Sequence, residues 1–239
     1  MKRAVPALTF AILLAGAAQA QPGRSEDRGT RSSLADPAAV IRAEIAIGQL
    51  AVAKGQWEAM ARMAAKDAVL LTPQPVPAQR WLKSRPPATP PARLNTHLVF
   101  LSCDGSTALT AGTWSRPDGA KGWYRAVWQR EGKKRMFQWL LGTAGTLDQS
   151  AEEPDAISAK VAQCSRRGPE GEDPQSVPAV PALDPNQPLP ITHEEKSMDG
   201  SLRWRWAMGA GGAAVLEGWM VTETGERQVL PVAPGVPPA

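Results

Sequence analysis

Three polar side chains lie among apolar residues in ways that could move a proton: Glu44, His97 and Tyr124. Taking a proton from carbon needs a desolvated base within hydrogen-bond reach and a donor for the developing oxyanion. Glu44 falls in a helical pattern, with Val40, Ile41, Ile45 and Gly48 near its side. Facing an apolar cleft, its pKa would rise and it could serve as acid or base. At the edge of the helix it would simply reach solvent. His97 sits mid-strand and would titrate near neutrality as a base; the plainer reading is a buried histidine bonded to backbone. Tyr124 shares a strand face with Ala126 and Trp128 by two-residue alternation. Its hydroxyl would donate to a ligand, or would sit at the rim of an aromatic wall. Asp67, at the start of the run DAVLL, reads first as a local backbone contact and only second as a base. No residue is assigned as catalytic; Glu44, His97 and Tyr124 are the candidates.

Other chemistries find little support. The sequence has no GxSxG elbow and no HExxH. Gly209-Ala210-Gly211-Gly212 follows a strand pattern, but no helical pattern opens after it, so it is a poor phosphate loop. Two cysteines and two histidines, widely scattered, argue against a zinc site, and neither a metal nor a cofactor is expected. The turn Arg130–Arg135 (REGKKR) reads as a solvated hairpin tip rather than a nucleic-acid surface.

Nine tryptophans against three phenylalanines and one tyrosine give the chain its character. Trp57, Trp81, Trp114, Trp128 and Trp139 can share one core or line one cavity. Large rings fill a small β-domain, and they also favour apolar, ring-shaped or extended ligands. The expected pocket residues are Trp57, Trp81, Tyr124, Trp128 and Trp139.

Residues 1–20 read as a secretory signal peptide: Lys2 and Arg3, an apolar run, then Ala18-Gln19-Ala20 as a cleavage site. The apolar run is short for a membrane span, which needs about 20 residues. Cleavage after Ala20 leaves 219 of the 239 residues and, by removing Lys2 and Arg3, lowers the net charge from +4 to +2. So mild a balance, in a periplasmic or secreted protein, argues against nucleic acid as a partner. In an oxidising compartment, Cys103 and Cys164 are favoured as a disulfide over two buried thiols. The bond would close a loop of about 60 residues and contribute ~3–4 kcal/mol.

The elements that must position these residues follow from pattern. Residues 21–35 form a polar, flexible leader. Asp36-Pro37 is an N-cap and first-turn proline. The helix it opens carries Val40, Ile41, Ile45, Leu50 and Val52 and stops at Gly55. A second helix covers Gln56–Ala65, and Ala68–Leu71 is a short strand. The proline-rich loop 73–93 contains a helical turn at Ala78–Ser84, anchored by Trp81. Four strands then form an antiparallel meander: Leu94–Cys103, Thr107–Arg116, Trp123–Glu131 and Arg135–Leu141. Residues 149–168 are an extended segment, 169–190 a proline-rich linker, and 231–239 a loose tail. Within 191–230, Ser201–Met208 and Ala213–Thr222 read as a β-hairpin, which must pack on the main sheet because a lone hairpin is marginal. No internal repeat is evident.

Several motifs occur together in this order: KDAVLLTP at 66–73, Trp81-Leu82, CDGSTALTAGTW at 103–114 and GWYRAVWQREGKKRMFQW at 122–139. Residues 36–148 resemble the SnoaL-like branch of the nuclear transport factor 2-like superfamily. The resemblance implies an α+β fold in which a curved antiparallel sheet wraps around N-terminal helices as a cystatin-like cone, open at one end as a pocket. Homodimers are common in that superfamily. Enzymes on the fold, such as ketosteroid isomerases and polyketide cyclases, need a carboxylate or histidine base inside the cone. The family pattern commonly has an aspartate after the last apolar pair of the final strand, where this chain has Gly142. The expectation is therefore a pocket protein binding a small, mostly apolar molecule without turnover. An isomerase, cyclase or dehydratase using Glu44 or His97 with Tyr124 is the first alternative. A periplasmic scaffold using the outer sheet face and the terminal hairpin is the second.

Overall fold

A computed structural model of the chain describes residues 35–86, 90–130, 136–147, 156–164, 192–208 and 213–231. The expected signal peptide, nearly all of the leader, the linker 169–190, the tail beyond Pro231 and the glycine turn 209–212 lie outside these residues.

Helix α1 (Pro37–Lys54) begins as the sequence predicts. The Asp36 carboxylate accepts from the Ala38 amide at 3.0 Å, and Pro37 occupies the first turn. It ends at Gly55, whose φ of 92° suits glycine and whose amide donates to the Ala51 carbonyl at 2.9 Å. The buried stripe is Val40, Ala43, Glu44, Ile47 and Ala51. It differs from the stripe expected from hydrophobicity: Ile45 is 53 % exposed and Val52 80 %. Ala43 and Ala51 within the stripe let the helix lie close to the concave sheet, where more bulk would hold it away from the strands. Helix α2 (Gln56–Met63) follows at once and yields to β1 (Ala64–Thr72) two residues before the predicted end.

After β1 come β2 (Gln74–Pro77), α3 (Ala78–Lys83), β3 (Arg93–Leu101), β4 (Thr107–Ser115), β5 (Lys121–Arg130), β6 (Phe137–Thr146) and β7 (Ser158–Val161). They form a seven-stranded sheet in the order β2-β1-β6-β5-β4-β3-β7. The meander β3–β6 is antiparallel as expected, while β1 joins β6, and β7 joins β3, in parallel. Strand β6 continues past Leu141 to Thr146, with Gly145 lying under the Trp123 ring of β5, where a Cβ would come within 2.7 Å.

Two bulges set which residues face inward. The β3–β4 register shifts between Thr96 and Leu98, placing His97 at the irregularity. As a result Thr96, Val99 and Leu101 face the helices, while Leu98 and Phe100 face away. A second shift lies between Val127 and Trp128 on β5, opposite Leu140 on β6.

The outer face of this sheet is covered by a second sheet. The C-terminal region is more than the expected hairpin: β8 (Thr192–Lys196), β9 (Leu202–Met208), β10 (Ala214–Thr222) and β11 (Gly225–Leu230) pair in the order β11-β10-β9-β8. Two further strands turn a marginal ribbon into a sheet with a face to bury. Leu202, Trp204, Trp206, Leu216, Met220 and Leu230 pack on Val69, Leu71, Phe100, Leu109, Val127 and Leu141. Burying each such side chain contributes ~1.5–3 kcal/mol. Leu109 fits over Gly218, where an added Cβ would lie 2.5 Å from its Cδ1. Arg125 on β5 is buried at the same interface and donates through Nη1 to the carbonyls of Leu216, at 2.6 Å, and Pro231.

One local repeat escaped the sequence reading. Ser102-Cys103-Asp104-Gly105-Ser106 and Ser197-Met198-Asp199-Gly200-Ser201 share the pattern S-x-D-G-S, and both glycines have φ 69°. In each turn the first serine hydroxyl donates to the aspartate at 2.6 Å, and the amide of the second serine donates to the same carboxylate. The two turns also dock. The Cys103 amide donates to Ser201 Oγ at 2.9 Å and the Asp104 amide to Asp199 Oδ2 at 2.8 Å. Burial acts to raise the Asp199 pKa, but hydrogen bonds from Ser197, Ser201 and Asp104 outweigh it and hold the carboxyl below its ordinary value. The Cys103–Cys164 disulfide lies beside this joint, with Cα atoms 5.2 Å apart, and the Gln163 amide continues it by donating to the Val221 carbonyl at 3.0 Å. Among the described residues no helix is long and apolar enough to cross a membrane.

Candidate functional site

The concave face of the main sheet and the helices α1, α2 and α3 enclose a cavity of about 840 Å³. The five expected wall residues, Trp57, Trp81, Tyr124, Trp128 and Trp139, all line it, and Trp114 joins them. Trp57 meets Trp81 edge to face at 5.6 Å, and the Arg85 guanidinium lies 3.9 Å from the Trp81 ring centroid. Three of the indole N–H groups are satisfied within the wall. Trp114 donates to the Gly145 carbonyl at 3.1 Å, Trp128 to Thr110 Oγ1 at 3.0 Å, and Trp139 to the Met60 carbonyl at 2.9 Å. What these rings leave for a ligand is carbon surface.

Cross-strand glycines make room for the rings. Gly112 pairs with Tyr124, Gly122 with Trp114 and Gly145 with Trp123. A Cβ on Gly112 would come within 2.7 Å of Tyr124 Cε1 and 2.2 Å of the Asn95 carbonyl oxygen. The ring therefore crosses a bare stretch of backbone to bring its hydroxyl toward α1.

There it meets Glu44, which is only 5 % exposed. Glu44 Oε1 accepts from Thr110 Oγ1 at 2.7 Å; Oε2 accepts from Thr96 Oγ1 and from the Tyr124 hydroxyl, the latter at 3.3 Å. Tyr124 and Thr96 are themselves 3.0 Å apart. The partners come from three successive strands, β3, β4 and β5, and all are neutral hydroxyls. Among the described residues no salt bridge reaches Glu44. Burial drives its pKa above the ordinary carboxylate value, against the opposing pull of the three hydroxyls. Tyr124 is also pushed up, by burial first and by the charge of Glu44 second, so the phenol keeps its proton. The cluster can hold one proton on a desolvated carboxyl with a neutral hydroxyl donor beside it.

The other candidates separate from this pair. His97 is held 3.0 Å from Thr113 on the face of the sheet away from Glu44, so it does not share the site. Asp67 lies on β1 and is absent from the cavity lining. Gly142 does line the cavity, so an acid at that position would have projected into it. Sequence reasoning missed Thr96, Thr110 and Gly112. The available signal was polar residues at inward positions of strands that are otherwise apolar. It also missed Arg125, a charge in the middle of a buried strand.

No family model matches the sequence, and no curated protein is similar to it. Similar solved structures include a cystatin-like fold protein from Burkholderia xenovorans, at 13 % identity over 46 % of this chain and 90 % of that one, with a TM-score of 0.37. A protein of unknown function from Pectobacterium atrosepticum is 13 % identical over 47 % and 91 %, with a TM-score of 0.38. The beta subunit of the benzoate 1,2-dioxygenase from Burkholderia mallei is 18 % identical over 46 % and 87 %, with a TM-score of 0.32.

Proposed function

We propose that this is an exported protein whose cone takes up a small, mostly apolar molecule and anchors its polar end on Glu44 and Tyr124. The observation that carries the reading is the tryptophan-walled cavity of about 840 Å³ with the desolvated Glu44–Tyr124 cluster on its lining. Pockets of this size hold drug-sized ligands, with apolar walls supplying affinity and a few polar groups fixing orientation. Export is supported by the apolar N-terminal segment with its cleavage pattern and by the disulfide. Native mass spectrometry of protein isolated from the periplasm tests both parts. A bound small molecule on a chain beginning at Gln21 supports them; an empty chain that still carries residues 1–20 speaks against them. The same spectrum reads the oligomeric state. A homodimer would have to use surfaces other than the outer face of the main sheet, which the chain's own C-terminal strands occupy. That arrangement covers one of the two surfaces the scaffold reading named, the outer sheet face, and leaves it the exposed face of the terminal strands.

A second reading, proton transfer on a carbonyl compound, is favoured by the 3.3 Å approach of the Tyr124 hydroxyl to Glu44. Glu44 would act as base and Tyr124 as donor to the oxyanion. Protein-dependent loss of deuterium from the α-carbon of a bound ketone, absent in Glu44→Gln, would favour it over simple binding.

A further inference from the structure

We propose that the molecule this cavity accepts carries an organic ammonium group on an apolar body, with the cation seated beside Glu44. The inference rests on the pocket reading above and adds the charge of the ligand. It starts from a mismatch: a carboxyl group buried on the wall of a large cavity has, among the described residues, only hydroxyls as hydrogen-bond partners. A buried carboxylate needs either a proton or a counter-charge, because hydroxyls offset only part of the lost hydration. Among the described residues, the two arginines on the cavity lining are committed elsewhere. The Arg125 guanidinium points through the sheet to the carbonyls of Leu216 and Pro231, and Arg116 pairs with Asp118.

The walls favour the same ligand class. The indole N–H groups of Trp114, Trp128 and Trp139 are used internally, so these rings offer π surface and no donor to an anion or a carbonyl. Aromatic surfaces attract ammonium groups, tryptophan most strongly, and the attraction grows when water is excluded. A negatively charged ligand would meet Glu44 as a like charge, with Arg116 and Arg125 of the lining already bonded to other groups. A neutral ligand would leave the carboxyl protonated and gain no charge pairing from it.

The pH dependence follows from the groups facing Glu44. These are Thr96 from β3, Thr110 from β4 and Tyr124 from β5, while His97 lies on the other face. Among the described residues Tyr124 is the one titratable group hydrogen-bonded to Glu44, and it stays neutral. Burial keeps Glu44 protonated above the ordinary carboxylate range, so a cation that binds there must release this proton. Affinity for the cation therefore rises with pH and levels off once Glu44 is ionised in the free protein.

The test is competition against naphthalene, a neutral probe of the cavity followed by tryptophan fluorescence. Benzyltrimethylammonium is compared with its uncharged isostere neopentylbenzene on the full chain. The cation should bind at least tenfold more tightly than the isostere at pH 8 and lose that advantage on acidification, while the isostere stays level. Glu44→Gln should abolish the preference for the cation over neopentylbenzene. Equal affinity for the two ligands, with naphthalene still binding, would overturn the charge assignment and leave the pocket standing. Failure of all three to bind would remove both. If Glu44→Gln does not fold, the pH series on the unaltered chain decides, and a flat profile for the cation counts against the proposal.

Discussion

The Tyr124 hydroxyl stands 3.3 Å from Glu44 Oε2, and Thr96 Oγ1 lies within hydrogen-bond reach of both groups. An acid on the first helix and the only tyrosine of the chain, 80 residues apart, thus close the same cavity wall. Each is held by features of its own element: Glu44 by the inward stripe of α1, Tyr124 by the bare backbone at Gly112.

Glu44 ties stability to pH. Its folded-state pKa is raised, so the native state binds more protons than the unfolded chain between the two values. Stability is unaffected below the unfolded value and falls as pH climbs through the window up to the folded value. Glu44→Gln should remove this dependence. Thermal melts should show the variant gaining on the parent between pH 4 and pH 8, where ~1 kcal/mol corresponds to about 2–4 °C in a chain of this size. An identical difference at both ends of that range would mean the carboxyl is not desolvated.

Gly112→Ala should cost ~1–3 kcal/mol in denaturant unfolding, since the new methyl meets the Asn95 carbonyl oxygen as well as the Tyr124 ring. Tyr124→Phe, which removes only the hydroxyl, should cost ~0.5–1.5 kcal/mol. A neutral Gly112→Ala would show that the ring does not lie over that glycine.

Arg125→Met keeps most of the volume but leaves the carbonyls of Leu216 and Pro231 without their donor. The buried Leu216 acceptor left unpaired costs ~1–3 kcal/mol, while the carbonyl of the exposed Pro231 can turn to water. Hydrogen exchange should therefore quicken in β10 and β11 before β4 and β5. Uniform loss of protection in both sheets would mean that they unfold as one unit and that Arg125 is not a specific joint.

Reducing the Cys103–Cys164 bond, or replacing both residues by serine, should lower stability by ~3–4 kcal/mol, as expected for a loop of 61 residues. The docked S-x-D-G-S turns sit at the same joint, so Asp199→Ala in the reduced protein should destabilise further. A purely additive pair would separate the two devices energetically.

The sequence made some of this architecture legible and hid the rest for physical reasons. Capping at Asp36-Pro37 and the stop at Gly55 are local chemistry and could be read directly. Strand pairing by short turns was equally plain. The inward face of α1 was not, because the helix buries Ala43, Glu44 and Ala51 beside Val40 and Ile47 while Ile45 and Val52 stay outside. His97 stood apart from Glu44 once a bulge at that residue reversed the alternation, which no two-residue rule foresees. Strands β8 and β11 were hidden because they are short, polar strands whose partners lie in the hairpin between them.

The central claim is that the cone is open to a small molecule at Glu44 and Tyr124. Ala126 lies between Tyr124 and Trp128 on the inward face of β5 and lines the cavity, so a larger side chain there intrudes on the space a ligand would occupy. Naphthalene titrated into the unaltered protein and into Ala126→Phe, followed by tryptophan fluorescence, addresses the claim most directly. Saturable quenching at one site per chain, lost in a folded Ala126→Phe variant, is the predicted result. No quenching in the unaltered protein, or the same titration curve for both, would contradict it.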